Sequence, residues 1–243
     1  MDVILVINTC SNYFKNTIPE LIKQINTSNF PKENVLIVSG QENEECVSYE
    51  EGIKIVKVTY TGMHLTGLIY IYENIELFKN INYFIEVPDT VKFGPTFFDK
   101  IMNFYNINLK DKEINAVPFI NFSIIPSMDM GILHINHIKN IGCYLKKIKL
   151  DYPYNKEQLI NLKRQLVYDE NMIFSMRGHD FYRHTRVEST YTYDPTLFIA
   201  NSKDDFDSKN VNDKILQTYI KPLDYYKYQR NFNGPYVELI IDY

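Results

Sequence analysis

Tryptophan is absent from this chain, cysteine occurs only three times, and neither sign of charge dominates. Cys10, Cys46 and Cys143 lie far apart in sequence. They match no zinc-ligand or dithiol spacing, so they read as buried free thiols in a reducing compartment, not as a disulfide framework or a metal site. The 26 Lys and Arg stand against 30 Asp and Glu, a formal charge of −4. That balance gives no broad positive field, and nucleic acid is not an expected partner. Long apolar runs are missing too. No stretch approaches the roughly 18 apolar residues that span a bilayer. Met1-Asp2 and the short run Val3 to Ile7 lack the basic and apolar segments of a secretory leader. The expectation is a soluble, cytoplasmic chain with no membrane span.

Several sequence signatures are also absent. No three-glycine dinucleotide-binding turn follows the first apolar run, and no phosphate loop ending in Gly-Lys-Ser/Thr occurs. Dinucleotide oxidoreductases and ordinary nucleoside triphosphatases are thereby disfavoured. A Gly-x-Ser-x-Gly elbow is missing, which argues against an α/β-hydrolase. A nucleotidyltransferase would need a Gly- and Arg-rich loop early in the chain, and Asn8 to Asn12 supplies neither residue.

What is present is a core-forming α/β pattern. The chain has 243 residues, 45% of them hydrophobic, enough to build a core without disulfides or metal. Val3 to Ile7 is a continuous aliphatic run of the kind buried on both faces of a parallel sheet. A polar loop over Asn8 to Asn12 is expected next. A helix then starts at a capping box formed by Thr17 and Glu20, with Pro19 in its first turn. Further strands are expected at Val35 to Ser39, Ile53 to Val58 (after an acidic loop) and Tyr83 to Val87, with helices over Leu65 to Phe78 and Thr96 to Tyr105. This alternation predicts an α/β fold with a mainly parallel central sheet flanked by helices. The second half is less regular: strands at Ala116 to Ile120 and Gly131 to Ile135, helices over His137 to Lys147 and Lys156 to Ser175, a loop over Asn201 to Asn212, and a last strand at Val237 to Ile241. The whole chain, 1–243, reads as a single domain.

In open α/β sheets, ligands bind beyond the carboxyl ends of the parallel strands. The polar groups expected there are Asn8, Thr9 and Cys10, then Ser39, Gly40 and Gln41, then Thr59 to His64, and finally Asp89 and Thr90. His64 opens a helix after a glycine, where an imidazole contacts a base or phosphate as readily as it serves as a plain loop residue.

The order of elements resembles the GT-A fold of nucleotide-sugar glycosyltransferases. Tyr83-Phe84-Ile85-Glu86-Val87-Pro88-Asp89-Thr90, followed by Phe93-Gly94-Pro95-Thr96-Phe97, is similar to the strand and turn that carry that family's metal-binding aspartates. Tyr60-Thr61-Gly62-Met63-His64-Leu65-Thr66-Gly67-Leu68 resembles its donor-contacting loop and helix start. Ser127-Met128-Asp129-Met130-Gly131-Ile132 resembles its acceptor-side strand. The resemblance implies a UDP- or GDP-sugar donor, a hydroxyl acceptor on a glycan, a protein or a small molecule, and Mn2+ or Mg2+ as cofactor. Together with the strand-end rule it puts Asn8, Thr9, Cys10, Gly40, Tyr60, His64 and Asp89 on the donor, with 1–108 the nucleotide-sugar-binding half and 109–243 the acceptor-side half. The chain departs from the family's Asp-x-Asp pattern, because Val87-Pro88-Asp89 keeps only the last acidic position. Glu86 is adjacent, but strand alternation turns it to the face opposite Val87. Pro88-Asp89 is also ordinary turn chemistry.

A second constellation lies at Arg177, His179, Asp180, Arg183, His184 and Arg186. The chain's five arginines are Arg164, Arg177, Arg183, Arg186 and Arg230, so three fall in this short stretch. A guanidinium fork suits phosphate oxygens, and a departing diphosphate must be stabilised by metal or by cationic side chains. Arg177 and Arg183 are therefore expected on the diphosphate, and the resemblance implies a C-terminal metal ligand beside Asp89, supplied by His179 or His184. Asp180, with Asp129 as alternative, is expected as the base that deprotonates the acceptor in an inverting reaction. A solvated polar loop with ordinary ion pairs accounts for the same residues. A non-catalytic member of the same fold, acting as a binding or scaffold protein, and an unrelated α/β interaction domain are the rival readings.

Overall fold

A computed structural model describes residues 1–124, 130–169, 172–177, 182–183, 186–212 and 215–230. In chain order the strands of the first half are β1 (Val3–Cys10), β2 (Val35–Gly40), β3 (Cys46–Glu50), β4 (Ile53–Lys57), β5 (Tyr83–Pro88) and β6 (Val91–Phe93). Its helices are α1 (Ser11–Asn26), α2 (Thr66–Glu73) and α3 (Phe97–Asn108). The second half adds β7 (Ala116–Pro118), β8 (Gly131–His134), α4 (Ile135–Asn140), α5 (Gly142–Ile148), α6 (Lys156–Tyr168), β9 (Phe206–Asn212), β10 (Ile215–Ile220) and β11 (Tyr225–Arg230).

Seven strands form one central mixed sheet in the order β3-β4-β2-β1-β5-β8-β7. β4, β2, β1 and β5 pair in parallel, and β3 and β8 run against them. β7 pairs antiparallel with β8 and so points with the parallel strands. The α/β class is thus observed, with antiparallel strands toward both edges of a parallel centre. β1 and β5 are buried on both faces, as mostly apolar runs at the centre of a parallel sheet require. One face packs on α1 and α3 through Ile18, Leu21, Ile101 and Tyr105. The other packs on α2, α4, α5 and α6 through Leu68, Ile138, Leu145 and Leu162.

Two expectations change at the start of the chain. β1 runs on to Cys10 and α1 begins at the next residue, so no loop separates them. Thr17 lies inside α1, not at its start. Pro19 is also internal. An internal proline costs about 3 kcal/mol. Ile18, Leu21, Ile22 and Ile25 are all buried on the same helix, and each buried aliphatic side chain stabilises by about 1.5–3 kcal/mol. The apolar stripe therefore outweighs the proline.

The segment expected as an acidic loop before β4 is instead the edge strand β3. It turns into β4 through Glu51 and Gly52, both at positive φ, as a tight two-residue hairpin needs. The loop expected over Asn201 to Asn212 contains β9. β6, β11, β10 and β9 make a second, four-stranded antiparallel sheet. Its residues Ile220 and Tyr225, and Leu223 in the 3-10 turn between β10 and β11, belong to the same core as β1, α1 and α3. The single helix expected over His137 to Lys147 is two, α4 and α5, meeting at Ile141 and Gly142. The strand expected at Val237 to Ile241 lies outside the described residues. Among the described residues no helix is long and apolar enough to cross a membrane.

Candidate functional site

β1 is the point where the strand order turns. The chain leaves it through α1 to β2 on one side, and β5 lies on the other. A ligand crevice in such a sheet opens beyond the carboxyl ends of the strands at this point. Register brings Asn8 beside Pro88 and Cys10 beside Gly40, so the turn at Asp89 and Thr90 lies just past the end of β1.

Asp89 is the buried charge of this place, 7% exposed. Its Oδ2 accepts from the Thr9 hydroxyl at 2.6 Å and from the Thr17 hydroxyl at 3.2 Å. Burial pushes its carboxyl above the usual range, against the pull of those hydroxyls and of the Lys227 charge. Thr17 reaches it because α1 follows β1 directly. Lys227, on β11, donates from Nζ to Thr90 Oγ1 at 2.6 Å, and the next residue's N–H (Tyr228) donates to the Thr90 carbonyl at 3.0 Å. The second sheet is therefore attached to the turn itself. Thr17 and Lys227 are the site residues that sequence reasoning left unassigned, while Thr90 was expected at the strand end beside Asp89. For Lys227 a signal was present. Tyr225-Tyr226-Lys227-Tyr228 alternates as a strand, which puts Lys227 on the face of buried Tyr225.

Asn8 is tied inward. Its Nδ2 donates to Glu86 Oε1 at 2.5 Å and its Oδ1 accepts the Gly67 N–H. A β-carbon on Gly67 would stand 2.6 Å from Asn8 Oδ1 and 2.8 Å from Val6 Cγ1, so only glycine lets the start of α2 approach β1 this closely. Glu86 is fully buried on the side away from Asp89, as strand alternation requires. Cys10 sits half-buried at the N-cap of α1. Burial raises its thiol, the backbone N–H groups of Asn12 and Tyr13 oppose this, and the charges of Asp89 and Glu42 reinforce it. The protonated thiol is a contact group, not a nucleophile. Around the ends of β1, β2 and β4, Phe14, Glu42, Lys57 and Tyr154 are half-buried. Lys57 stands over the Phe14 ring at 5.3 Å, and Tyr154 donates to the Thr59 carbonyl at 3.3 Å.

The other expected donor residues scatter in role. Gly40 is packed against Thr66 and the Tyr60 carbonyl. Tyr60 is buried beneath the Lys149 ammonium, 4.3 Å from its ring centre. Burial raises its phenol, with the charges of Glu73 and Glu45 adding. His64 is half-buried in a 3-10 turn just before α2. Arg177 is exposed and its guanidinium pairs with Asp194, with N–O distances of 3.1 and 2.8 Å. Its neighbour Met176 bridges to Tyr193, whose hydroxyl donates to Ala116 O on β7. Arg183 is exposed. Asp129, His179, Asp180 and His184 lie outside the described residues. An open concavity of about 660 Å3 is lined by Tyr182, Glu188, Ser189 and Thr190 in the same stretch. Its described lining residues are exposed or half-buried, and the strand-end position, with buried Asp89, is the better-founded site.

A divalent cation of the Mg2+ or Mn2+ type prefers about six oxygen ligands. Here Asp89 brings one carboxylate, whose Oδ2 already serves two hydroxyls. Among the described residues no group of three His, Cys, Asp or Glu side chains stands close enough to share an ion. The described donor set does not fit such a metal. Comparison with known protein families and with curated proteins finds no match to the chain.

Proposed function

We propose that this chain is a GT-A-like glycosyltransferase that moves a sugar from a UDP- or GDP-sugar to a hydroxyl acceptor. The observation that carries this reading is the buried Asp89 at the carboxyl end of β5, beside the strand where the sheet order turns, tied to β1 and α1 by Thr9 and Thr17. In this reading the base and ribose lie over the ends of β1, β2 and β4, against Cys10, Phe14 and Tyr154, and the diphosphate lies past the Asp89-Thr90 turn. The acceptor oxygen attacks the anomeric carbon as the bond from that carbon to the diphosphate oxygen breaks. The acceptor proton passes to a carboxylate, Asp180 or Asp129 in the proposal, and the nucleoside diphosphate leaves.

A second reading, nucleotide-sugar binding without transfer, is favoured by one observation: the Asp89 carboxylate is already engaged by two hydroxyls and lacks acidic companions among the described residues. Titration with UDP- and GDP-sugars, with and without Mn2+, tests both readings, together with measurement of nucleotide released in the presence of an acceptor mixture. Saturable binding with release supports transfer. Binding without release supports the second reading. No binding to either nucleotide under either condition contradicts both.

A further inference from the structure

We propose that β3 is a docking edge, where an extended segment of another protein, flanked by lysine or arginine, joins the central sheet as a further strand. Among the described residues the two sheets leave four edge strands, β3, β7, β6 and β9. Three of them are covered or blunted. β7 has three buried residues ending in Pro118, and the chain returns along it: the Ile199 N–H donates to the Pro118 carbonyl and the Tyr193 hydroxyl to the Ala116 carbonyl. β6 is equally short, and Gln24 Oε1 accepts the Phe93 N–H at 2.9 Å. β9 carries exposed Asp207 and Lys209 in mid-strand, the kind of charge that keeps an edge from pairing. β3 has neither lysine nor proline, and all five of its residues are exposed. Among the described residues it pairs with β4 alone. Its outer backbone N–H and C=O groups are thus offered to another strand.

Side chains add selectivity to that backbone. Val47 and Tyr49 lie two residues apart and so share a face. They are 56% and 70% exposed. Val47 stands opposite Val56, which is buried in the layer shared with α2. The apolar layer therefore runs out past the helices and ends on two uncovered side chains. A strand added to β3 lays alternate side chains beside them, while its main chain supplies the hydrogen bonds. Charge selects the occupant. The segment from Glu42 to Gly52 holds Glu42, Glu44, Glu45, Glu50 and Glu51 and no Lys or Arg. Lys54 and Lys57 lie on β4, one strand inward. A second copy paired antiparallel about Ser48 would set each Glu45 opposite the other copy's Glu51, and like charges directly opposite destabilise a strand pair. The same glutamates attract a segment with basic ends and steer its approach. This edge is independent of the strand-end site and of sugar transfer.

The test measures fluorescence anisotropy of labelled peptides with the full chain. The probes are Lys-Lys-X-Thr-X-Thr-X-Lys-Lys, with X as Val, Ile or Tyr. One control has Glu for every Lys, and another has Pro-Pro-Pro at the centre, which removes the N–H donors and keeps the charge. Wild type is compared with Glu44→Gln/Glu45→Gln/Glu50→Gln/Glu51→Gln and with Val47→Ser/Tyr49→Ser. Gln keeps an acceptor for the Asn26 amide at position 51, and thermal melts establish that both variants are folded. At least one lysine-flanked peptide is expected to bind saturably and to slow amide exchange in residues 46–50. Both controls should bind about tenfold more weakly or worse. The Gln variant should lose about tenfold in affinity and most of the salt dependence, and the Ser variant about threefold or more. Failure of every lysine-flanked peptide to bind would overturn the proposal. So would equal binding of the proline control, unchanged binding by the Gln variant, or protection that spares 46–50. A peptide-free chain that dimerises in sedimentation with 46–50 protected would put a second copy on this edge and overturn it as well.

Discussion

The turn after β5 and the stretch around Arg177 both concentrate charge, and they hold it in opposite ways. Asp89 is buried, raised in pKa by that burial, and held by hydroxyls from two elements and the field of a lysine from a third. Arg177 is exposed and paired with a carboxylate 17 residues away. A buried charge must be stabilised by its surroundings and leaves the fold less stable, whereas an exposed pair contributes little either way. An acid buried at a cost to stability is the better marker of function, and the first region has one.

The largest effect is expected in the segment that follows the sheet's far edge. His137 on α4 is fully buried and joins two loop residues of the second half. Its Nε2 donates to the Ile173 carbonyl at 2.6 Å, so its Nδ1 accepts from the Tyr191 hydroxyl at 2.8 Å. Burial lowers its pKa to about 4. The unfolded chain takes up this proton from about pH 6.5 downward, and the folded chain only near pH 4. This contribution to stability is therefore present above pH 6.5 and is lost between 6.5 and 4, by about 3 kcal/mol. Urea unfolding at pH 7, 5.5 and 4 is expected to show that fall in wild type and a flatter profile in His137→Gln.

Gly67→Val comes next. The new side chain would press on Asn8 and Val6 at the root of the strand-end region, and a loss of about 2 kcal/mol in urea unfolding is expected. A wild-type stability would mean that α2 can move away from β1 and that the crevice floor is not rigid.

Asp89→Asn should act in the opposite direction. Because the folded-state pKa of Asp89 is raised, its favourable contribution is complete below the unfolded value and is lost as pH rises through the folded one. Ionising the buried carboxyl is a burden on the fold, and Asn can still accept from Thr9 and Thr17. Melting at pH 7 should rise by a few degrees, on the order of 1 kcal/mol. The gain should vanish near pH 3, and sugar transfer should fall about tenfold or more. A variant that is less stable at pH 7 would make Asp89 a structural group and erase the contrast between the two regions. Arg177→Gln is the smallest expected change: stability within about 0.5 kcal/mol of wild type, and unaltered nucleotide affinity. A large loss of affinity would move the site into the second half.

The parallel core was legible because its strands are short, mostly apolar runs, such as Val3 to Ile7 and Tyr83 to Val87, and from those runs the strand ends at Asn8, Thr9, Cys10 and Asp89 could be read. The start of α1 was not. Thr17, Pro19 and Glu20 satisfy the local rules for a helix start, and only the extension of β1 to Cys10 places them in mid-helix. The second sheet was hidden for a different reason. Its strands mix Tyr, Lys, Gln and Thr without a long apolar run, and β11 finds its partner β6 more than 130 residues earlier in the chain. Lys227 was therefore present in the sequence as part of a tyrosine-rich run, with nothing local to bring it to Thr90. The arginine stretch had the right residue types, but clustering in sequence does not determine which carboxylate a guanidinium meets, and Arg177 meets Asp194.

The central claim is that ligand binds past the ends of β1 and β5 and not in the second-half stretch. Amide hydrogen exchange of the full chain, with and without saturating UDP- or GDP-sugar, tests it most directly. Slowed exchange is expected in residues 9–14, 88–92 and 225–229, with 175–194 unchanged. Protection confined to 175–194 would contradict it.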